Sequence, residues 1–449
     1  MRERLKINWF SPLPPTRSDI ARHTSGLLPE LSDRAEVVVW CNDGIIDGAA
    51  KKHATIKRYD VLHPPWREIN AADVTFYHMG NDPRYHADIW RMSRAHPGIV
   101  ILHDLKLQHF FAGLVGGNAT MALGEYFDLV EKHHGALGRA RAESFFDGNI
   151  GIDQLAEDVP LSGAAIEGAL GVIAHSEVAY NAIAAATSLP VAYLPLSVGS
   201  NGPADDEFLL ARERNGRPYH IIVFGYLGPN RRLASIVQAL ASFPQRNHFR
   251  LDIYGTMHGT EKIEDFACRL GIGDLVTLHG FAPEDELAAA LRRSHLAINL
   301  RNPSMGEASG SQLCLWQYAL PALVSQTAWY ASLPDDTVAF VRPDHEIEDI
   351  QSHLARFLEE PEHYRRLGLN GRRYVNEHCT VSAYVDGIME MAARVPELHS
   401  AWIARHLAER AGRTMSRWTA RPANAFSAGV AREIQALVSG YFPPAETVA

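Results

Sequence analysis

Arg301-Asn302-Pro303-Ser304-Met305-Gly306-Glu307-Ala308-Ser309-Gly310-Ser311 follows an apolar run, Leu296-Ala297-Ile298-Asn299-Leu300, and precedes a stretch, 312–320, that can be helical. The run reads as a buried strand. A loop of small residues between the C-terminal end of a strand and a helix N-terminus offers free backbone N–H groups and the positive end of a dipole, which suit a phosphate. Ser309, Gly310 and Ser311 supply that backbone. Glu307 would repel a phosphate, so its use is to grip hydroxyls of a group that the phosphate carries. A sugar nucleotide combines the two. The same residues also read as an ordinary strand–helix turn with a serine N-cap, and the loop alone does not choose between them.

Working outward, the chain alternates strand and helix, which predicts parallel sheets flanked by helices. The first half carries strands at 6–10, 36–40, 74–78, 98–103, 171–175 and 191–196, with helices such as 18–31 and 83–95 between them. A polar stretch, 197–218, reads as a linker. Alternation restarts with strands at 219–224, 249–254, 275–278, 296–300, 322–325 and 337–341, and helices near 232–241, 261–270, 284–292 and 347–358. Residues 105–161 are helix-like without a strand. The expected organisation is α/β: a Rossmann-like domain over 1–200 with a helical insertion at 105–161, a second over 201–380, and a helical tail over 381–449.

Composition narrows the class. With 449 residues and 46% hydrophobic content the chain can build two sizeable cores. A net charge of −9 argues against a general nucleic-acid binder. The four cysteines, Cys41, Cys268, Cys314 and Cys379, are scattered without a CxxC pair, which fits a reducing compartment and no structural zinc. The first residues, Met1 to Lys6, lack the apolar core of a signal peptide, and no window approaches the roughly 18 apolar residues of a membrane span. The expectation is a cytoplasmic protein. Absent motifs exclude more: there is no G-x-G-x-x-G after the first strand, no P-loop, no G-x-S-x-G elbow and no H-E-x-x-H pair. The second domain holds one lysine, Lys262, on an exposed helix, which disfavours a pyridoxal-phosphate enzyme.

Phe224-Gly225-Tyr226-Leu227-Gly228-Pro229-Asn230-Arg231-Arg232 follows the first strand of the second domain. Gly225 lets backbone approach a ligand, and Arg231 and Arg232 can neutralise a diphosphate. A solvated arginine pair beside a helix is the competing reading.

Taken together these stretches resemble the retaining glycosyltransferases of family 4, whose GT-B architecture places two Rossmann-like domains with their parallel sheets facing a central cleft. The resemblance runs through Phe10-Ser11-Pro12-Leu13-Pro14-Pro15, Gly80-Asn81 with Tyr85-His86, Leu102-His103-Asp104 and Ala174-His175-Ser176. It continues through Phe224-Gly225 with Arg231-Arg232, Asn299-Leu300-Arg301 with Gly306-Glu307, and Leu333-Pro334. Residues 105–161 and the last part of the tail lie outside it. The resemblance implies transfer of a sugar from a nucleotide-diphosphate sugar to a hydroxyl of a glycan or glycolipid, without metal or other cofactor. It gives Arg231 the donor diphosphate, Glu307 the donor sugar, and His103 a place facing that sugar. Asn81 and His175 would line the acceptor side or the cleft. Three departures stand out. Tyr226 replaces a second basic residue, Asp19 occupies the first strand–helix turn, and the second glutamate of the E-x7-E pattern is absent, with Cys314 and Leu315 in its place and Gln312 or Gln317 as substitutes.

The tail carries Arg394, Arg405, Arg410, Arg413, Arg417 and Arg421 with Trp402 and Trp418. It reads either as a helix packed on the body or as one lying on an anionic membrane, with the protein peripheral at the inner face. Two further functions remain open at this point: a sugar-nucleotide epimerase or hydrolase, and a silent sugar-nucleotide-binding scaffold.

Overall fold

The computed structural model describes residues 4–42, 44, 48–116, 120–199, 202–203, 206–214, 216–256, 262–417, 429–434 and 436. Glu261, Trp418 and Arg421, named above, lie outside them. The chain forms two units: Met1–Ala174, Tyr180–Leu194 and Val385–Ala449 make the first, and His175–Ala179 with Pro195–Tyr384 the second.

Seven parallel strands build the first sheet: β1 (Lys6–Phe10), β2 (Glu36–Trp40), β3 (Thr55–Lys57), β4 (Val74–Met79), β5 (Ile99–Leu102), β6 (Gly171–Ala174) and β7 (Val191–Tyr193). Their spatial order is β3-β2-β1-β4-β5-β6-β7. Six strands build the second: β8 (Tyr219–Phe224), β9 (Phe249–Tyr254), β10 (Val276–Gly280), β11 (Leu296–Asn299), β12 (Ala322–Ser325) and β13 (Ala339–Val341), in the order β10-β9-β8-β11-β12-β13. Runs such as Ile99-Val100-Ile101-Leu102 are apolar throughout because a parallel sheet covered by helices is buried on both faces. In the second sheet the period of two sends Ile221, Val223, Leu251 and Ile253 into one core and Ile222, Phe224 and Tyr254 into the other. Strand order reverses between β1 and β4 and again between β8 and β11. In open α/β sheets the loops at the carboxyl ends of such a reversal hold ligands.

Helix signals in the sequence act as expected. The helix Pro83–Ala95 starts with Asp82 accepting from the Arg84 N–H and Pro83 at its first position. Among the described residues of 105–161 there are helices Gln108–Val115, Leu123–Phe146 and Ile152–Asp158 and no strand. Two features differ from expectation. β3 is a three-residue edge strand, half-exposed, with no apolar run to announce it. The expected linker contains a helix, Glu207–Arg214. Arg212 anchors it by donating from Nη1 to the Ala319 carbonyl at 3.1 Å and from Nη2 to the Leu291 and Tyr318 carbonyls at 3.0 and 3.1 Å. A cation at these helix C-terminal ends is favourable.

Up to residue 417 the tail forms helices Val381–Ala393 and Val395–Arg417. Trp402 donates from Nε1 to the Gly168 carbonyl at 2.9 Å and stacks on His406, with ring centroids 4.1 Å apart. Among the described residues no helix is long and apolar enough to cross a membrane.

Candidate functional site

In the second unit, the loops after β8 and β11 flank the reversal of strand order. Gly225, at φ +116, turns the chain out of β8, and its N–H donates to the Tyr254 carbonyl at 3.0 Å. A side chain there would place Cβ 2.8 Å from Arg231 Nη2, so glycine leaves the path along which Arg231 enters. Arg231 is 3% exposed. Its Nε donates to the Tyr226 carbonyl at 3.2 Å, Nη1 to Asn299 Oδ1, and Nη2 to Ser311 Oγ at 3.3 Å. One guanidinium therefore joins the loop after β8, the end of β11 and the first turn of the helix Gly310–Gln317.

That turn is ordered by polar contacts. Ser309 Oγ accepts from the Gln312 N–H at 3.2 Å, as an N-cap, and shares a hydrogen bond of 3.0 Å with Ser311 Oγ. Asn299 accepts from Ser311 Oγ at 3.3 Å and donates to Gln312 Oε1 at 2.9 Å. A cation and a helix N-terminus thus meet at one place, an arrangement that attracts an anion.

Arg232 is arranged differently although it is the next residue. It takes a left-handed conformation, φ 57, and its Nε donates to both carboxylate oxygens of the buried Glu346 at 2.8 Å. The charge brought to Ser311 is that of Arg231.

Glu307 sits in the loop that Gly306, at φ +82, turns back on itself. Its Oε2 accepts from the Met305 N–H at 2.7 Å and from Ser304 Oγ at 3.0 Å, while Oε1 pairs with Arg301 Nε at 3.1 Å. Ser176 Oγ donates to the Gly306 carbonyl at 2.8 Å and accepts from the Ala179 N–H at 3.1 Å, so it caps its own helix and braces this loop. His175 is buried against Tyr384, ring centroids 5.6 Å apart. Gln312 is fully buried on Asn299, and Gln317 donates to the Gly199 carbonyl at 2.7 Å. Each proposed substitute for the missing glutamate thus makes one side-chain hydrogen bond inside the fold, and the half-buried Cys314 and buried Leu315 occupy the candidate positions of that glutamate.

Elsewhere on the second sheet, Asp252 of β9 accepts from His220 Nδ1 and His279 Nε2, each at 2.8 Å, and the His279 ring stacks on Tyr254 at 4.1 Å. Burial pushes the Asp252 carboxyl up, but the two histidine hydrogen bonds outweigh it and hold it below the ordinary value. A carboxyl depressed by folding stabilises fully above the unfolded value of about 3.9 and loses that contribution as pH falls through its folded value. Asp252→Asn is expected to cost about 1–3 kcal/mol at neutral pH. Urea midpoints should converge with wild type in acid, and a gap that persists there would contradict the assignment.

In the first unit, His103 follows β5 and its N–H donates to the Met79 carbonyl at 2.9 Å. Its Nε2 lies 2.8 Å from Nδ1 of His78, which sequence reading missed. The signal was there: the stretches read from the sequence as strands 74–78 and 98–103 both end in histidine. Asn81 uses its side chain inside the fold, donating to the Lys106 carbonyl at 2.6 Å and accepting from the Phe110 N–H at 3.4 Å. Asp104 accepts from the Asn81 N–H at 3.0 Å. Asp19 is exposed in the first turn of the helix Asp19–Arg34, where a negative charge suits the dipole.

Comparison with known proteins bears on the second unit most directly. Residues 206–374 match the family of glycosyl transferases group 1. No curated protein sequence matches the chain. Solved structures with similar folds include HepE of Anabaena in complex with UDP and glucose, at TM-score 0.61 and 13% identity, covering 87% of this chain and 99% of that one. The sucrose-phosphate synthase of Thermosynechococcus elongatus gives TM-score 0.59 and 15% identity over 87% of this chain and 99% of that one. WaaG, a glycosyltransferase involved in lipopolysaccharide biosynthesis, gives 0.54 and 12% over 85% and 99%. The fold is GT-B: two Rossmann-like units, each with its own parallel sheet. The group 1 match supports a glycosyltransferase.

Proposed function

We propose that the protein is a glycosyltransferase that moves a sugar from a nucleotide-diphosphate sugar to a hydroxyl of a glycan, glycolipid or other glycoconjugate, with retention of configuration. The observation that carries this reading is the buried Arg231 guanidinium joined to Ser311 at the N-terminus of the helix Gly310–Gln317, within the segment matching glycosyl transferases group 1. A structure of the same fold, HepE, holds UDP and glucose, which supports a nucleoside diphosphate as the leaving group.

In this reading the anomeric C–O bond breaks to give an oxocarbenium-like sugar and a diphosphate of growing negative charge. Arg231 and the backbone at Ser309, Gly310 and Ser311 stabilise that charge with preorganised donors, so no metal is required for it. Arg232 braces the loop through Glu346. Glu307 accepts two hydrogen bonds within its loop, both on Oε2, and its Oε1 pairs with Arg301; in this reading Oε1 is the oxygen that accepts from a sugar hydroxyl. In the same reading His103 acts on the donor sugar. We place the reaction on the cytoplasmic side, with a surface glycan or lipid-linked acceptor.

One observation favours a second reading, a sugar-nucleotide-binding protein without turnover: Cys314 and Leu315, at the place of the missing second glutamate, bring no carboxylate to hold a ribose. A thermal-shift and turnover screen of UDP-, GDP-, ADP- and dTDP-sugars separates the two. A cognate donor at about 100 times its Kd should stabilise the fold by about 2.7 kcal/mol and be slowly hydrolysed. Stabilisation without hydrolysis, even with acceptors added, would favour the silent binder, and no shift with any donor would sink both.

A further inference from the structure

Three imidazoles converge where β4 and β5 end in the first unit. β4 and β5 pair in parallel with Met79 beside Leu102, so their loops leave the sheet together. His78 is the penultimate residue of β4, His103 follows β5, and His23 comes from the helix Asp19–Arg34, its ring centroid 5.9 Å from that of His103. The His78 and His103 rings lie 5.1 Å apart and 23° from parallel, with Nδ1 of His78 and Nε2 of His103 at 2.8 Å.

A hydrogen bond between two imidazole nitrogens accommodates one proton. If His103 Nε2 carries it, His103 Nδ1 is left bare as an acceptor. If His78 Nδ1 carries it, His103 Nε2 accepts and His103 Nδ1 carries a proton of its own. The state of the buried ring thus fixes what the other ring presents. Protonating both rings fully would set N–H against N–H, so the pair takes up one extra proton as a unit.

His78 is built to hold this position. It is 0% exposed, Trp9 packs with its ring centroid 4.8 Å away, and its backbone carbonyl accepts from His86 Nδ1 at 2.9 Å. The titratable groups facing the pair are His23 from the first helix, His86 from the helix Pro83–Ala95, and Asp104 after β5. The last two approach Gly80 so closely that a Cβ there would lie 3.1 Å from His86 Nε2 and 3.4 Å from Asp104 Oδ2.

We propose that His78 is a positioning residue for His103: it orients the His103 ring and, through Nε2, sets whether the ring's other nitrogen, Nδ1, carries a proton or a lone pair. The functional half of this proposal rests on the transferase reading above, in which His103 acts at the donor sugar. The sharing of one proton does not.

The test begins with imidazole nitrogen NMR on the full-length protein across the histidine range, which needs no substrate. His78 and His103 are expected to titrate with one common midpoint. Separate, independent midpoints would overturn the proposal without any variant. In His78→Phe, which keeps a ring but offers no hydrogen bond, the His103 midpoint should move by about one unit; an unchanged midpoint again overturns it. With a donor in hand, His78→Phe should lower kcat about 10-fold with little change in KM, the low end for an outer partner of a functional imidazole. His78→Asn, whose amide oxygen lies near the place of Nδ1 and can still accept from His103 Nε2, should recover most of kcat. Equal losses in the Phe and Asn variants would mark His78 as structural only. Failure to find a donor would count against the transferase reading and leave the NMR result standing.

Discussion

Arg231→Ala is expected to lower donor turnover by about 10²–10³-fold, the usual effect of removing one preorganised donor from a site of developing negative charge. Two roles converge on this side chain. It supplies a cation at a helix N-terminus, and it ties Tyr226, Asn299 and Ser311 together from an almost fully buried position. Truncation leaves those three acceptors without it, which should cost about 1–3 kcal/mol of stability. The two effects separate in Arg231→Lys. Lysine keeps the charge but lacks the planar fork that spans Asn299 and Ser311. Its turnover should lie between wild type and alanine, while its thermal midpoint falls nearly as far as that of the alanine variant. Measuring kcat/KM for donor hydrolysis alongside the melting curves checks both. Turnover at the wild-type level in a folded Arg231→Ala protein would remove Arg231 from the site and the transferase reading with it.

Glu307→Ala should be nearly as damaging, on the order of 10²-fold in turnover, and its interpretation needs a second variant. Glu307 organises its own loop through Met305 and Ser304, and it neutralises Arg301, which is as deeply placed as itself. Removing the carboxylate takes the ion pair at 3.1 Å away from that deeply placed guanidinium, at a cost of about 3 kcal/mol. Arg301→Met relieves this charge, so the double variant Arg301→Met/Glu307→Gln should regain most of the lost stability. Glutamine keeps an oxygen for the Met305 N–H yet presents a weaker acceptor to a sugar hydroxyl. If Glu307 contacts the donor sugar, the double variant is stable and still slow. If it only shapes the loop, stability and turnover return together. Urea midpoints and steady-state turnover on wild type, Arg301→Met, Glu307→Gln and the double variant decide between these outcomes.

Much of this molecule is local in origin. Apolar runs of four to six residues determined where the strands lie, and Asp82 with Pro83 determined where the helix Pro83–Ala95 begins. Glycine and serine after β11 determined a loop running into a capped helix, with Ser309 as the cap. Each of these signals acts within a few residues, through hydrogen bonding, φ preference or side-chain period, so each is legible in the chain alone. The edge strand β3 lacks such a signal, and the helix Glu207–Arg214 is secured by carbonyls about 80 to 110 residues away.

The division of labour between Arg231 and Arg232 was decided only by the tertiary structure. As neighbouring residues of one type they are chemically indistinguishable in the sequence. A left-handed turn at Arg232 aims its side chain at Glu346, more than a hundred positions later, and leaves Arg231 to enter the rim past Gly225. The same holds for His78, whose relation to His103 exists because β4 and β5 are adjacent strands, and for Asn299, which becomes the joint of a polar network only when three loops meet. The types of residue available for binding were set by the sequence. Which of them reaches the helix turn at Ser311, and which is held by a carboxylate elsewhere, follows from long-range electrostatics and packing that arise when the sheet assembles.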